Sequence, residues 1–245
     1  GSDTSAVALA VKLQGKCEIY TDVDGIYFTD PRKYPQAKKI KEIEYEEMLE
    51  LSSLGAQVMH SRSVELAQKY GIELYVGLSC SEIEGTYIRG SKKMKLEDKV
   101  ITGLATCDND AAITIVDIKI EDVSKLFEKV ANDGISIDMI SQTAPKSGKV
   151  NVSFTIPKDD LNECESIVEH FVCRENIIID EDITKFSLVG LGMKNTSGVA
   201  AKVFKILSDN NIAVKLITTS EIRITCAISS LSKEVAIREI AKEFN

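Results

Sequence analysis

The chain has 245 residues, 44% of them hydrophobic and 28% charged, with a formal net charge of −8. That is enough chain for one large domain or two to three small ones with real cores, and no run approaches the roughly 18 consecutive apolar residues of a membrane helix. The acidic balance argues against a broad nucleic-acid surface, which requires clustered Lys and Arg; here the two signs interleave, as on solvated helix faces.

Residues 3–14 place small and apolar side chains at helical spacing, with Asp3 and Thr4 as N-cap candidates. Residues 17–20 read as a short strand that enters the turn-rich run Thr-Asp-Val-Asp-Gly. Amphipathic helices are expected at 45–54, ending at Gly55, and at 61–70, ending at Gly71, with a strand at 72–76. Helices alternating with short apolar strands predict an α/β layer with a largely parallel sheet.

From about residue 100 the chain repeats itself. VSKLFEKVANDGISIDMIS (123–141) resembles AAKVFKILSDNNIAVKLIT (200–218), aligning Phe127 with Phe204, Ile135 with Ile212 and Ile140 with Ile217 at a constant offset of 77 (127 to 204). Each copy reads as strand, amphipathic helix, Asp-Gly or Asn-Asn turn, and strand. An alternating strand (150–156 and 221–228) and a second helix (160–171 and 232–244) follow, and a strand at 177–179 closes the first copy. This order is the ferredoxin-like split βαβ pattern, and units this small bury their sheets by pairing.

Six cysteines, Cys17, Cys80, Cys107, Cys164, Cys173 and Cys226, form no C-x-x-C pair. With His60 and His170 as the only histidines, no zinc site is expected. Scattered thiols of this kind point to a reducing, cytoplasmic setting.

The densest chemical signal is TDVDGIYFTDPR at residues 21–32. It follows a strand, and α/β proteins place ligand contacts at the carboxyl ends of their sheets. Thr21 supplies a hydroxyl, Asp22 a carboxylate and Gly25 a backbone that a ligand can approach closely. Tyr27 offers an aromatic face, and Arg32 a planar fork suited to phosphate. On residue chemistry alone the run is equally well a tight turn with no ligand. It is not an EF-hand: Asp22 and Asp24 begin like D-x-D, but the sixth-position Gly and twelfth-position Glu are out of register.

That run resembles the nucleotide-site signature of aspartokinases, T/S-D-V-x-G-[IV]-Y-x-x-D-P-R. The opening Gly1-Ser2-Asp3-Thr4 resembles the end of the family's G-R-G-G-S-D-T segment. EYEEMLELSSLGAQVMHSRSVELA (44–67) resembles its F-x-E-M-x-E-L-A-x-x-G-A-K-V-L-H-x-R-[ST]-V-E-x-A. GMKNTSGVAAKVFKIL (192–207) and LITTSEIRI (216–224) resemble its regulatory repeats, so the likeness spans the chain. It implies that Thr21 and Asp22 contact ATP, that Tyr27 packs against it, and that Arg32 reaches its phosphates. It further implies Asp3 and Asp22 as catalytic carboxylates, Ser2 at the aspartate substrate, and Mg2+ accompanying the nucleotide. Where the family has Lys near ATP this chain has Gln57, which keeps donors and loses a charge. The family's K-F-G-G-T-S loop and the Arg of G-R-G-G-S-D are not among these residues, so the resemblance implies a chain that starts midway through the kinase domain.

In repeats of the ACT type, a free amino acid sits between two modules, on the loop after the first strand and the start of the second. By that resemblance the first copy offers Ser136, Ile137, Asp138 and Gln142, with Asp138 meeting the ligand ammonium; its loop at 117–122 lacks the usual Pro-Gly. The second offers Met193, Ser197, Gly198 and Val199 opposite Ala213, Val214, Thr219, Ser220 and Glu221. Strand-end residues of these types also serve simply to satisfy turns.

The expected fold is α/β, a partial amino-acid-kinase domain at 1–98 with a largely parallel sheet, followed by α+β. The α+β part is two ferredoxin-like βαββαβ ACT domains side by side, the first at 111–180 and the second assembled from 99–110 and 181–245. The intact protein is expected to be a homodimer that phosphorylates L-aspartate with ATP and is inhibited by lysine, threonine or both. The rival is a non-catalytic amino-acid-sensing subunit.

Overall fold

Small residues at helical spacing make α1 (Ser2–Leu13), which turns its buried Val7 and Ala10 inward. It opens a computed structural model that describes residues 2–55, 58–90 and 99–245. The helix starts at Ser2, so Asp3 and Thr4 lie in its first turn and do not cap it. There the Asp3 charge complements the helix dipole, and the Thr4 hydroxyl meets that of Ser63 at 3.0 Å.

The first layer is a four-stranded sheet in the order β1 (Cys17–Thr21), β5 (Leu74–Leu78), β6 (Thr86–Ile88), β4 (Glu42–Ile43). The β1/β5 and β4/β6 pairs are parallel and β5/β6 is antiparallel. A short antiparallel ribbon joins β2 (Ile26–Tyr27) to β3 (Lys39–Ile40). Helices α2 (Tyr45–Ser53) and α3 (Ser61–Tyr70) cover the sheet, and Met48, Val64, Leu74, Val76 and Ile88 are fully buried between them. Glu44 and Glu47 form a capping box on α2, satisfying amides that a helix start leaves unpaired. The strand expected at 72–76 begins later because Ile72 N–H closes the end of α3 on the Ala67 carbonyl at 2.9 Å.

The first repeat runs β8 (Asp110–Lys119), α4 (Ile120–Asn132), β9 (Ile140–Gln142), β10 (Lys149–Pro157), α5 (Leu161–Val168), β11 (Ile177–Asp180). Its sheet order is β11-β8-β10-β9, antiparallel throughout. The second runs β12 (Ile183–Val189), α6 (Val199–Asp209), β13 (Leu216–Thr219), β14 (Arg223–Ser229), α7 (Lys233–Phe244). Its sheet, β13-β14-β12-β7, takes its fourth strand from β7 (Gly103–Cys107), which precedes the first repeat in the chain. Both sheets are therefore ferredoxin-like. The tight turns predicted at Asp-Gly and Asn-Asn use left-handed residues, Gly134 at φ 79° and Asn211 at φ 56°.

Each repeat has its own core, around Phe154 in the first and Phe186 in the second. Every residue of β12 is buried. Phe186 and Leu188 enter the second repeat's core while Val189 joins the core of the first layer. The second core also takes in Phe28, Tyr34 and Ala37, so the segment after β2 is held by the second repeat as well as by its own sheet.

Candidate functional site

The 21–32 run leaves the carboxyl end of β1, where the Thr21 carbonyl accepts from Ser79 N–H at 2.9 Å. The Thr21 hydroxyl donates to Asp22 Oδ1 at 3.0 Å, and the Asp22 side chain is otherwise turned to solvent. Asp24, which the sequence did not single out as a site residue, accepts from the Tyr27 hydroxyl at 3.0 Å and from Lys39 Nζ at 2.6 Å. The Lys39 hydrogen bond holds the Asp24 carboxyl below its ordinary range, and burial together with Asp24 pushes the Tyr27 hydroxyl up. Lys39 Nζ also stands 5.8 Å from the centre of the Tyr27 ring. Tyr27 is thus fixed by its edge and one face.

Arg32 is 90% exposed and bound two-pronged to Asp30, Nε to Oδ1 at 3.0 Å and Nη2 to Oδ2 at 2.9 Å. Asp30 in turn caps its own turn, accepting from Arg32 N–H at 2.9 Å. The pairing holds Asp30 below the ordinary carboxyl range, and Arg32 also feels the charge of Asp22. Thr21 and Asp22 are therefore joined to each other at the end of β1, and the Arg32 guanidinium, bound by Asp30, is largely exposed. Ser2 is exposed on α1 and donates to Asp3 at 3.3 Å. Gln57 lies outside the described residues. His60 caps α3, its Nδ1 accepting from Arg62 N–H at 3.3 Å.

In the first repeat Ser136 and Gln142 are exposed and Ile137 is half-buried. An ammonium does meet the Asp138 carboxylate, and it belongs to Lys185, which also binds Asp110. Burial alone would lower the Lys185 pKa, but the two carboxylates hold it above its ordinary value. A single Lys inside the apolar strand ITKFSLV is the sequence signal that could have found this cluster. No loop separates strand from helix here: β8 ends at Lys119 and α4 begins at Ile120.

The second repeat has such a loop. A 3-10 turn at Leu191–Asn195 carries Met193, and Gly198 enters α6 at φ 89°, a left-handed conformation that costs a side chain energy. Ser197, Gly198 and Val199 line a cavity of about 230 Å³ rimmed by Lys99 and Lys202. Lys194 pairs with Glu221 at 3.3 Å, which ties this loop to the exposed turn of Thr219, Ser220 and Glu221. Ala213 is exposed, and Val214 packs against the second core. Among the described residues no helix is long and apolar enough to cross a membrane, and no group of three or more His, Cys, Asp or Glu is placed to hold a metal ion.

The model of the amino acid kinase family matches residues 1–77, and that of an ACT domain matches 186–244. An aspartokinase of Helicobacter pylori is 42% identical over 98% of this chain and 61% of its own length. The structure of Clostridium acetobutylicum aspartate kinase superposes with a TM-score of 0.88 at 27% identity, over 100% of this chain and 58% of that one. E. coli aspartokinase III, solved with aspartate and ADP in its R-state, gives 0.83 at 25% identity over 99% and 55%. The same enzyme with lysine and aspartate in its T-state gives 0.79 at 26% over 100% and 55%. The chain spans about three-fifths of the length of the curated relatives it matches.

Proposed function

This chain belongs to the aspartokinase family, and we propose that the protein it spans in part transfers the γ-phosphoryl group of ATP to the side-chain carboxylate of L-aspartate. One carboxylate oxygen bonds to phosphorus as the bond to the bridging oxygen breaks, giving 4-phospho-L-aspartate and ADP. Such transfer needs little from the protein beyond positioning and charge stabilisation. What supports the reading is the run that leaves the end of β1, where the Thr21 hydroxyl joins Asp22 and an exposed Arg32 is oriented by Asp30. Arg32, oriented by Asp30, takes the phosphate oxygens with its outward donors. The Thr21 hydroxyl, the Asp22 carboxylate and the fixed Tyr27 ring hold the rest of the nucleotide, and the family resemblance adds Gln57 as a further nucleotide residue. Ser2 and Asp3 belong to the aspartate side.

Mg2+ is bound largely by substrate phosphates with one or two carboxylates. Asp22 fits that part, since its side chain is exposed and accepts only the Thr21 hydroxyl among the described contacts. The ion supplies charge neutralisation when bound. We assign 1–98 to the kinase domain, 111–180 to the first ACT domain, and 99–110 with 181–245 to the second. Lysine, threonine or both act through the repeats of a cytoplasmic homodimer.

The test is ATP-dependent formation of aspartyl hydroxamate by the longer protein. Arg32→Ala should lower kcat/KM by about 10- to 150-fold, the loss of one charge-assisted contact. Unchanged kinetics would remove Arg32 from the phosphates. Residues 1–245 alone should show no turnover, because the K-F-G-G-T-S loop and the substrate Arg of the family are not among them.

A further inference from the structure

The first layer and the second repeat meet across α2, where beside the buried apolar Val189 their contact includes a buried carboxylate. Glu47, 4% exposed, is the one acidic residue in the buried set among the described residues. Its Oε1 accepts from the Thr102 hydroxyl at 2.6 Å and from Leu191 N–H at 2.9 Å. Its Oε2 accepts from Glu44 N–H at 3.4 Å, half of the capping box. A buried carboxylate is costly unless donors replace its water. The helix thus holds two donors of the second repeat at fixed places.

Those donors lie on either side of functional segments. Leu191 opens the loop of Met193, Ser197 and Gly198, and Thr102 immediately precedes β7. A Cβ on Gly103 would come within 2.8 Å of the Leu51 side chain, so β7 and α2 are in tight contact. The next residue, Leu104, donates its N–H to the Phe28 carbonyl at 2.6 Å, inside the 21–32 run. Further along the strand, the Thr106 hydroxyl accepts from Lys33 Nζ at 2.7 Å. Two flanking ion pairs also cross this seam, Glu50 to Arg223 at 2.9 Å and Glu46 to Lys194 at 3.9 Å. Both are far more exposed than Glu47, and exposed pairs hold little.

We propose that Glu47 is a positioning residue that couples the amino-acid loop of the second repeat to the nucleotide run. A ligand that reorders residues 191–198 moves the Leu191 N–H; the buried carboxylate passes that displacement to α2 and, through Thr102 and β7, to Phe28. The proposal rests on the reading of the second repeat as an amino-acid sensor for the kinase.

The test is the hydroxamate assay on the longer kinase, with lysine and threonine as probes and the variants Glu47→Ala, Glu47→Gln and Thr102→Val. In Glu47→Ala the concentration giving half inhibition should rise by about 5- to 150-fold, the ordinary range of allosteric coupling, with the uninhibited rate kept. Glu47→Gln retains an acceptor oxygen for both donors and should behave as the parent. Thr102→Val removes one donor at constant shape and should fall between, and it carries the test if Glu47→Ala does not fold. Both variants should still show a ligand-induced melting shift. Unchanged half-inhibition in Glu47→Ala, or in Thr102→Val when that variant carries the test, overturns the proposal, as does loss of the melting shift itself, which would make Glu47 a support of the site and not a coupler. If neither probe inhibits or shifts the parent enzyme, the sensor reading falls and the coupling with it.

Discussion

The two repeats share strand order, helix placement and core design, and they part at one joint. In the first, β8 runs into α4 with no intervening loop, after an irregularity at the left-handed Asp117 (φ 58°). In the second, residues 190–198 intervene, Gly198 turns the chain left-handed at φ 89°, and a cavity opens beside the loop. The polar groups diverge in the same sense. Asp138 of the first repeat is already answered by Lys185, whereas Ser197 and the backbone around Gly198 are exposed. A duplicated fold can thus differ between its copies at a single strand-to-helix connection, closed in one and opened by a loop in the other.

Core truncation should separate the copies most sharply. Phe154→Ala and Phe186→Ala each remove a fully buried ring, at about 3–5 kcal/mol. Because Phe28, Tyr34 and Ala37 pack into the second core, only Phe186→Ala should also expose the 26–40 segment to proteolysis. Equal protection of that segment in both variants would break the comparison. Next comes Lys185→Met, which leaves Asp110 and Asp138 without their shared cation. Removing one partner of a buried pair costs about 3–5 kcal/mol, and the 41% exposure of the Asp138 side chain places this case at or below the low end. The melting temperature should fall while any ligand-induced shift survives; loss of the shift would return Asp138 to the amino-acid site.

Smaller effects belong to the joint itself. Gly198→Val forces a β-branched residue into a left-handed conformation, about 1–2 kcal/mol, and should abolish the amino-acid response that Lys185→Met leaves intact. A mild acid titration should give the least. Burial raises the Asp108 pKa, but hydrogen bonds from Lys233 and Thr184 outweigh it and hold the group below its ordinary value. A depressed folded pKa contributes stability above the unfolded value of about 3.9, and that contribution is lost as pH falls through the folded value. Asp108→Asn should flatten this part of the acid melting profile, and a profile identical to the parent's would remove the pairing from the account.

Much of the fold was legible because its signals are local. The 77-residue offset (127 to 204), the amphipathic faces of α4 and α6, and the Asp-Gly and Asn-Asn turns are all set by neighbours a few residues away. The residue types of the 21–32 run were legible in the same way, but the fork of Arg32, read as suited to phosphate, is engaged by Asp30, which the sequence did not single out. What could not be read were pairings made across the chain. Glu47 looks like any acidic helix residue until its acceptor meets Leu191, 144 positions away. Lys185 and Asp138 sit 47 apart on different repeats. The capture of Phe28 and Tyr34 by the second core follows from where that repeat docks, which no periodicity encodes.

Amide hydrogen exchange on the chain, with and without saturating lysine or threonine, tests the central claim most directly. Ligand binding slows exchange where it suppresses local opening. The account predicts added protection across residues 191–199 and along α2, with none at the β8–α4 joint of the first repeat. Protection centred on that joint, or no change anywhere with either amino acid, would contradict it.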